Sequence, residues 1–231
     1  MSAWTELRRF FDESGLQVDE SQFKLLEDFA EDLYRTNQHI NLTRIPKDEF
    51  AIRHVIDSLL FVDQFPEGAK VLDLGCGAGF PSWPLAWARP DLQVIGLDSH
   101  QKPLEFLSRH PLPNLRLHLG RAEENHFKES ADVVTGRAFA PLAIQLEMSA
   151  PAAVVGGTLV LLRTPKDIEQ SASWEVGKLG LAGAEAMQRT LPNGIADRAA
   201  LIYRKTTKTP DRFPRSWAEA KKKPLFSAPQ D

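Results

Sequence analysis

The residues whose types and spacing promise chemistry stand close together: Asp73, then Gly75, Gly77 and Gly79 at alternate positions, then Phe80 and Pro81. An apolar-rich segment from Val71 to Leu74 leads into them and has the length of a short buried strand. Glycine takes positive φ at little steric cost and lets a ligand come close to the backbone. Proline is tolerated where a helix begins, because its missing N–H would have gone unpaired there. Strand, glycine turn and a helix opening at Phe80-Pro81 predict a nucleotide-type cradle.

The spacing also says which nucleotide. A dinucleotide fingerprint needs a small residue three positions after the second glycine, so that helix and strand can close around a pyrophosphate, and Phe80 stands there. Asp73 would repel a pyrophosphate but could bind an ammonium. A ligand combining an amino acid with an adenosine fits better, and that ligand is S-adenosyl-L-methionine. On this reading the Gly75, Gly77 and Gly79 backbone approaches the methionine and ribose, and Asp73 lies near the ammonium. Asp98, 19 residues beyond Gly79, accepts from the ribose hydroxyls in a loop shared with Ser99. Phe80 and Ala122 meet flat or apolar parts of the cofactor, and Glu123 borders the adenine. Cys76, the only thiol, reads as a small residue in a tight turn.

The elements that must position these groups follow from periodicity. Apolar residues recur at three and four positions over 2–13 and 19–37, predicting two helices, and Pro46 opens a third that runs to about Val62. On that third helix Arg53, His54, Asp57 and Ser58 share one face. Strands are expected at 71–74, 93–97, 115–119, 131–135 and 157–162, the last after a Gly156-Gly157 turn, with helices at 101–109, 142–153 and 167–179. Segments 184–190 and 199–205 flank Pro192-Asn193-Gly194, a reverse-turn signal. The fold class is therefore α/β: a seven-stranded, doubly wound, Rossmann-like class I methyltransferase sheet ending in an antiparallel hairpin. Three regions are expected: an N-terminal helical extension over 1–66, the cofactor-binding domain over 67–206, and a basic proline- and lysine-rich tail over 207–231.

At 231 residues and 42% hydrophobic content the chain can bury a sizeable core. No apolar run approaches the length of a membrane span, and the first residues are acidic, so a soluble, cytoplasmic protein is expected. One cysteine excludes a disulfide framework or a cysteine zinc cluster. The net charge is −3, yet residues 1–32 are rich in Asp and Glu while 198–223 are rich in Lys and Arg. Arg53, Arg121, Arg163, Arg215, Lys221, Lys222 and Lys223 are candidates for RNA phosphates, which position a substrate without reading its sequence.

The acceptor is narrowed by exclusion. Methylation at cytosine C5 generally uses an enzyme thiol, and beyond Cys76, read as a small turn residue, no second cysteine is available. Exocyclic amines call for an Asn/Asp-Pro-Pro-aromatic loop after the fourth strand, where Gly136-Arg137-Ala138-Phe139 stands. Oxygen acceptors want a base or a metal, and no compact metal-ligand cluster is visible; no metal is expected. A nitrogen with an exposed lone pair, such as guanine N7, needs neither. An arginine donating to N7 would block the attacking lone pair, so Arg137 is expected on cofactor, phosphate or O6, with His54 and Asp57 as further catalytic or orienting groups.

Asn41-Leu42-Thr43, Arg53-His54-Val55-Ile56-Asp57-Ser58-Leu59, Leu72 to Pro81, Asp98-Ser99, Arg121-Ala122-Glu123 and Arg137-Ala138-Phe139-Ala140 occur in that order. Together they resemble the bacterial small-subunit ribosomal RNA guanine-N7 methyltransferases, also known as glucose-inhibited division protein B, over about residues 23–165. The resemblance implies methylation of a guanine N7 in the 530 stem-loop of 16S rRNA, presented as naked RNA or in a 30S subunit or precursor; separately, a monomer is expected. The resemblance also implies Gly75, Phe80, Ala122, Glu123 and Arg137 as cofactor contacts. The chain departs from the family pattern at Ser82-Trp83, Gly136, Arg163-Thr164 and Thr36, changes expected to cluster on the acceptor side. Methylation of a small molecule or protein, and RNA binding without the chemistry, stay open at this point.

Overall fold

The computed structural model describes residues 2–124 and 126–227; the last four positions of the basic tail lie outside the described residues. Strands β1 (Lys70–Leu74), β2 (Gln93–Asp98), β3 (Leu115–Leu119), β4 (Ala131–Arg137), β5 (Ala153–Arg163), β6 (Glu185–Thr190) and β7 (Asp197–Arg204) form one sheet in the order β3-β2-β1-β4-β5-β7-β6. The first five are parallel and β7 alone runs against its neighbours. Their central strands are apolar on both sides because helices cover both faces: Val71, Val133, Val160 and Ala200 belong to one core layer, Leu72, Val134, Leu159 and Leu201 to the other. The strand order reverses between β1 and β4, so the crevice of this sheet opens at their carboxyl ends.

Helices α1 (Ala3–Ser14) and α2 (Glu20–Asn37) precede the sheet, the second started by a capping box at Asp19 and Gln22. Phe29 of α2 is fully buried and stacks on Trp83 with ring centroids 4.2 Å apart, while Phe106 and His110 meet it edge-on at 5.2 and 5.0 Å. Trp83 thus packs against the helical layer, and Ser82 is fully buried against Asp73 and Gly96 of the sheet; neither faces an acceptor. Gly136 has an equally internal cause: a Cβ there would come within 2.8 Å of Gln145 Nε2 and 2.9 Å of the Leu74 carbonyl oxygen.

Four elements differ from the sequence reading. Helix α4 (Ser82–Ala88) has Pro81 as its cap residue rather than in its first turn. The expected helix after Pro46 is a 3-10 turn at Lys47–Glu49, a π-helical turn at Ala51–Ile56 and a short α3 at Asp57–Leu59. Gly156-Gly157 is no turn; it sits in a bulge within β5, where the pairing jumps from Ala131↔Ala153 to Val133↔Thr158. The helix expected over 167–179 stops after α7 (Lys166–Ser171), and Trp174 leaves to stack on Phe226 at 5.1 Å. The remaining helices are α5 (Gln101–Leu107), α6 (Leu142–Ser149) and α8 (Trp217–Lys222).

The helical layer is fastened by Asp32. Its carboxylate accepts from Arg109 (2.9 and 3.1 Å), His110 (2.8 Å) and Arg35. Burial pushes this carboxyl up, but the three donors prevail and hold it at about 2. Because the folded value lies below the ordinary carboxyl value of 3.8, the stabilisation is present above pH 3.8 and disappears as the pH falls through about 2. Asp32→Ala should cost about 1–3 kcal/mol at neutral pH, seen as a melting temperature lower by several degrees; the difference from wild type should shrink below pH 3.8.

Candidate active site

Four strand-end loops build one cavity of about 380 Å³: Gly75 after β1, Leu97 to His100 after β2, Gly120 to Glu123 after β3, and Ala138 and Phe139 after β4. The glycine turn is shaped by hydrogen bonds from Gly75 and Cys76 N–H to the Leu97 carbonyl at 2.8 and 3.1 Å. Asp98 accepts the Gly77 N–H at 2.8 Å through Oδ2 and the His100 N–H at 2.8 Å through Oδ1. So Asp98 both holds the turn in shape and lines the cavity. Gly75 lies at φ 73°, and a Cβ there would overlap the Phe139 ring, 2.4 Å from Cδ2; the cradle is closed to any larger residue. On its other side Gly77, Asp98 and Ser99 border a second, wider opening with His39 to Leu42.

Asp73 lies under this turn with no exposure. Its Oδ2 accepts the Ser82 N–H at 3.0 Å, and its Oδ1 is buried without a hydrogen-bond partner. Burial lifts the carboxyl to about 6, against the pull of Ser82 and the Arg137 charge. An orphaned buried acceptor beside a glycine turn with no room for a Cβ fits S-adenosylmethionine, whose ammonium is a donor of the required sign. Asp73 lies beneath the cavity and not on its surface, whereas Ser99, Ala122 and Glu123 line it.

Phe80 is placed differently from expectation. Its ring stacks on His54 with centroids 3.9 Å apart at 19° and is only 7% exposed, so it walls the cradle from the helical layer instead of lining the cavity.

A further cavity, of about 540 Å³, is lined by Asp57, Arg137, Ala138, Ala140, Leu162, Arg163, Thr164 and Arg198 among others. Ala138 lines both it and the cofactor cavity. This residue holds φ 53°, a left-handed conformation that a non-glycine residue keeps only where its surroundings enforce it. The enforcement is visible next door. Arg137 donates through Nη1 to the Arg53 carbonyl and to Asp57 Oδ2, each at 3.0 Å. Asp57 in turn accepts from Arg198 Nε at 2.7 Å and Nη2 at 3.2 Å. The π-helical turn turns His54 and Asp57 inward, both less than 9% exposed.

His54 is not a base here. Arg137 Nη2 donates to its Nδ1 at 3.2 Å, which puts the ring proton on Nε2, 2.7 Å from Thr43 Oγ1. Burial, reinforced by the Arg137 and Arg53 charges, drives the imidazole down to about 2. Both nitrogens are occupied and the ring stays neutral, so His54 orients Arg137. Arg137 likewise is committed to protein groups, and its role is to fix the turn that separates the two cavities.

Three of the expected RNA contacts are corrected. Arg163 donates to Asp167 at 2.8 Å and to Gln145 at 2.9 Å, with its side chain 11% exposed. Arg215 grips the fully buried Glu147 at 2.6 and 2.7 Å. Arg53 pairs with Glu49 at 2.6 Å while its carbonyl serves Arg137. Their charges answer protein carboxylates. Arg121 is exposed with Glu123 3.9 Å away, and Lys221, Lys222 and Lys223 are exposed on and just after α8. Arg198 was missed because it lies on the terminal hairpin outside any motif; the spacing of a single arginine carries no signal.

A parallel sheet reversed at β1/β4, with a glycine cradle and acidic second-strand end, defines a class I S-adenosylmethionine-dependent methyltransferase. Solved structures agree on the fold. A predicted O-methyltransferase of Agrobacterium tumefaciens superposes with TM-score 0.53 at 19% identity, over 66% of this chain and 80% of that one. A variant of the 16S rRNA (adenine(1408)-N(1))-methyltransferase of Catenulisporales acidiphilia does so with TM-score 0.50 at 16% identity, over 61% and 86%. The family model described as "GidB: rRNA small subunit methyltransferase G" matches residues 22–178. Ribosomal RNA small subunit methyltransferase G of Lactobacillus delbrueckii subsp. bulgaricus is 37% identical over 223 residues, 90% of this chain and 92% of the relative. Its namesake from Exiguobacterium is 35% identical over 225 residues, 92% and 94% of the two chains. This chain belongs to the rRNA small subunit methyltransferase G family.

If the ammonium pairs with Asp73, the proton must leave that carboxyl before the ligand binds. Affinity for S-adenosylhomocysteine, which keeps the ammonium, should be full above about pH 6 and fall as the pH drops through it, by roughly tenfold per unit at the limit. Titration calorimetry between pH 5 and 8 checks this, and Asp73→Asn should bind more weakly without that pH dependence.

Proposed function

We propose that the protein methylates N7 of a guanine in the 530 stem-loop of 16S rRNA by direct in-line transfer from S-adenosylmethionine. The observation that carries the reading is the meeting of two cavities at a single enforced turn, Arg137-Ala138. The cofactor supplies an electrophilic methyl on a sulfonium. The glycine turn, Asp98, Ser99, Ala122 and Glu123 would hold it, with Asp73 against its ammonium.

The chain's own residues then have a positioning task. Guanine N7 carries its lone pair in the plane of the base, so no proton has to be removed before the bond forms. The neutral, fully engaged His54 is consistent with a reaction that asks for no base. The acceptor cavity presents Asp57 between two guanidiniums together with Arg163 and Thr164, a mixed donor and acceptor wall suited to a purine edge. Holding the base in line with the methyl replaces a bimolecular encounter by an oriented one, which supplies most of the acceleration. Arg121 and Lys221 to Lys223 would meet phosphates around the loop. The first 66 residues serve as a helical platform that carries Asp57 and His54 to the 67–206 domain, and the enzyme works as a monomer without a metal.

Radiolabelled methyl should pass to 16S rRNA, free or in 30S subunits from a strain lacking the endogenous enzyme. Borohydride and aniline cleavage should place the 7-methylguanine in the 530 stem-loop. No label in either substrate, with cofactor bound, overturns the reading; label elsewhere in the rRNA overturns the assignment of the nucleotide.

A further inference from the structure

The cofactor cavity has one lining residue that belongs to none of the four strand-end loops. It is Trp217, the first residue of α8, near the far end of the chain. From the resemblance and the composition alone, this region reads as a basic tail. In the structure it is a strap laid across α6 and held at several points. Phe213, Ala220 and Phe226 are buried in the same core layer as Leu142 and Leu146.

The strongest fastening is electrostatic. Glu147 of α6 has no exposure, and a buried carboxylate is costly unless its lone pairs are well satisfied. Here all three partners come from one strap residue: Arg215 N–H at 2.9 Å, Nε at 2.7 Å and Nη2 at 2.6 Å. The remaining Arg215 nitrogen, Nη1, donates to the Lys223 carbonyl at 3.0 Å and so ties the end of α8 to its beginning. Ser216 and Glu219 form a capping box that starts the helix at Trp217. At the far end Phe226 stacks on Trp174, whose indole N–H donates to the Ser227 carbonyl at 3.0 Å.

This scaffold delivers the Trp217 ring to the cavity rim. It meets Phe139 edge-on, ring centroids 5.5 Å apart at 67°, and Phe139 in turn occupies the space a Cβ on Gly75 would take. Glycine backbone, phenyl ring and indole thus form one continuous wall. Opposite it stand Asp98, Ser99, Ala122 and Glu123, from the ends of β2 and β3. In the strand order this is the side away from the acceptor cavity, which lies over β4, β5 and β7. With the ammonium assigned to Asp73 at the end of β1, the half left to fill this side, over the ends of β2 and β3, is the adenosine.

We propose that Trp217 is a cofactor-binding residue, a flat apolar contact for the adenosine half of S-adenosylmethionine supplied by the pinned C-terminal strap. This rests on the cofactor reading given above. It makes the end of the chain part of the active site, and it places the exposed Lys221 and Lys222 on the same short helix as a cofactor contact.

The test uses the full chain and two probes, S-adenosylhomocysteine and 5′-methylthioadenosine, which keeps the adenosine and lacks the amino acid. Trp217→Ala should weaken both, by a common factor of about tenfold or more, with the melting temperature little changed. Trp217→Phe, which preserves a flat ring against Phe139, should stay within about threefold of wild type for both. Unchanged affinity of Trp217→Ala for both probes, with wild type binding normally, overturns the inference while leaving the cofactor reading intact. Weakening confined to S-adenosylhomocysteine overturns the assignment to adenosine. Wild type that binds neither probe overturns the cofactor reading itself.

Discussion

The arrangement depends on one carboxylate. Asp57 sits almost out of solvent between the guanidiniums of Arg137 and Arg198. The three residues come from the start of α3, directly after the π-helical turn ahead of the sheet, from the end of β4, and from the terminal hairpin. A charge so buried is tolerated only with close, multiple donors, and losing either arginine leaves the other pair incomplete. The interaction therefore locks the helical extension, the parallel core and the reversed strand into one register. Everything at the junction of the two cavities follows from it. Arg137 cannot swing, His54 is fixed as its neutral acceptor, and Ala138 is held in a left-handed conformation it would not choose alone.

Charge is distributed here with a purpose that composition hides. Asp32, Asp57, Asp167 and Glu147 each take up arginines that would otherwise read as nucleic-acid contacts. The cations left facing solvent include Arg121 and Lys221 to Lys223, at the rim of the cofactor cavity and on the strap beside it. Asp73 is the opposite case: a buried acid, raised to about 6 by burial, with one oxygen that finds no hydrogen-bond partner among the described residues.

The sheet was legible because its signals are local. Apolar runs bounded by turns marked the strands, the glycine spacing marked the cradle, and Pro192-Asn193-Gly194 marked the hairpin. The family resemblance added the acceptor, which no periodicity could supply. What was not legible depends on distant partners. A helical pattern after Pro46 could not reveal the extra residue that makes a π-helical turn, because burial of His54 and Asp57 against β4 and β7 selects it. Gly156-Gly157 carries the composition of a turn, but the pairing of β5 with both neighbours absorbs it as a bulge. Arg163 and Arg215 looked available since nothing in the sequence announces Asp167 or Glu147 as their partners. Ser82, Trp83 and Gly136 departed from the family pattern for reasons of packing, not chemistry.

The account makes Asp57 a positioning residue for the acceptor side alone, and steady-state kinetics of Asp57→Asn beside ligand calorimetry tests this most directly. S-adenosylhomocysteine should bind with nearly wild-type affinity, while kcat for methyl transfer into rRNA falls by about 10² through misplacement of the Arg137-Ala138 turn. Unchanged kcat, or a loss of cofactor affinity as large as the loss of rate, would contradict it.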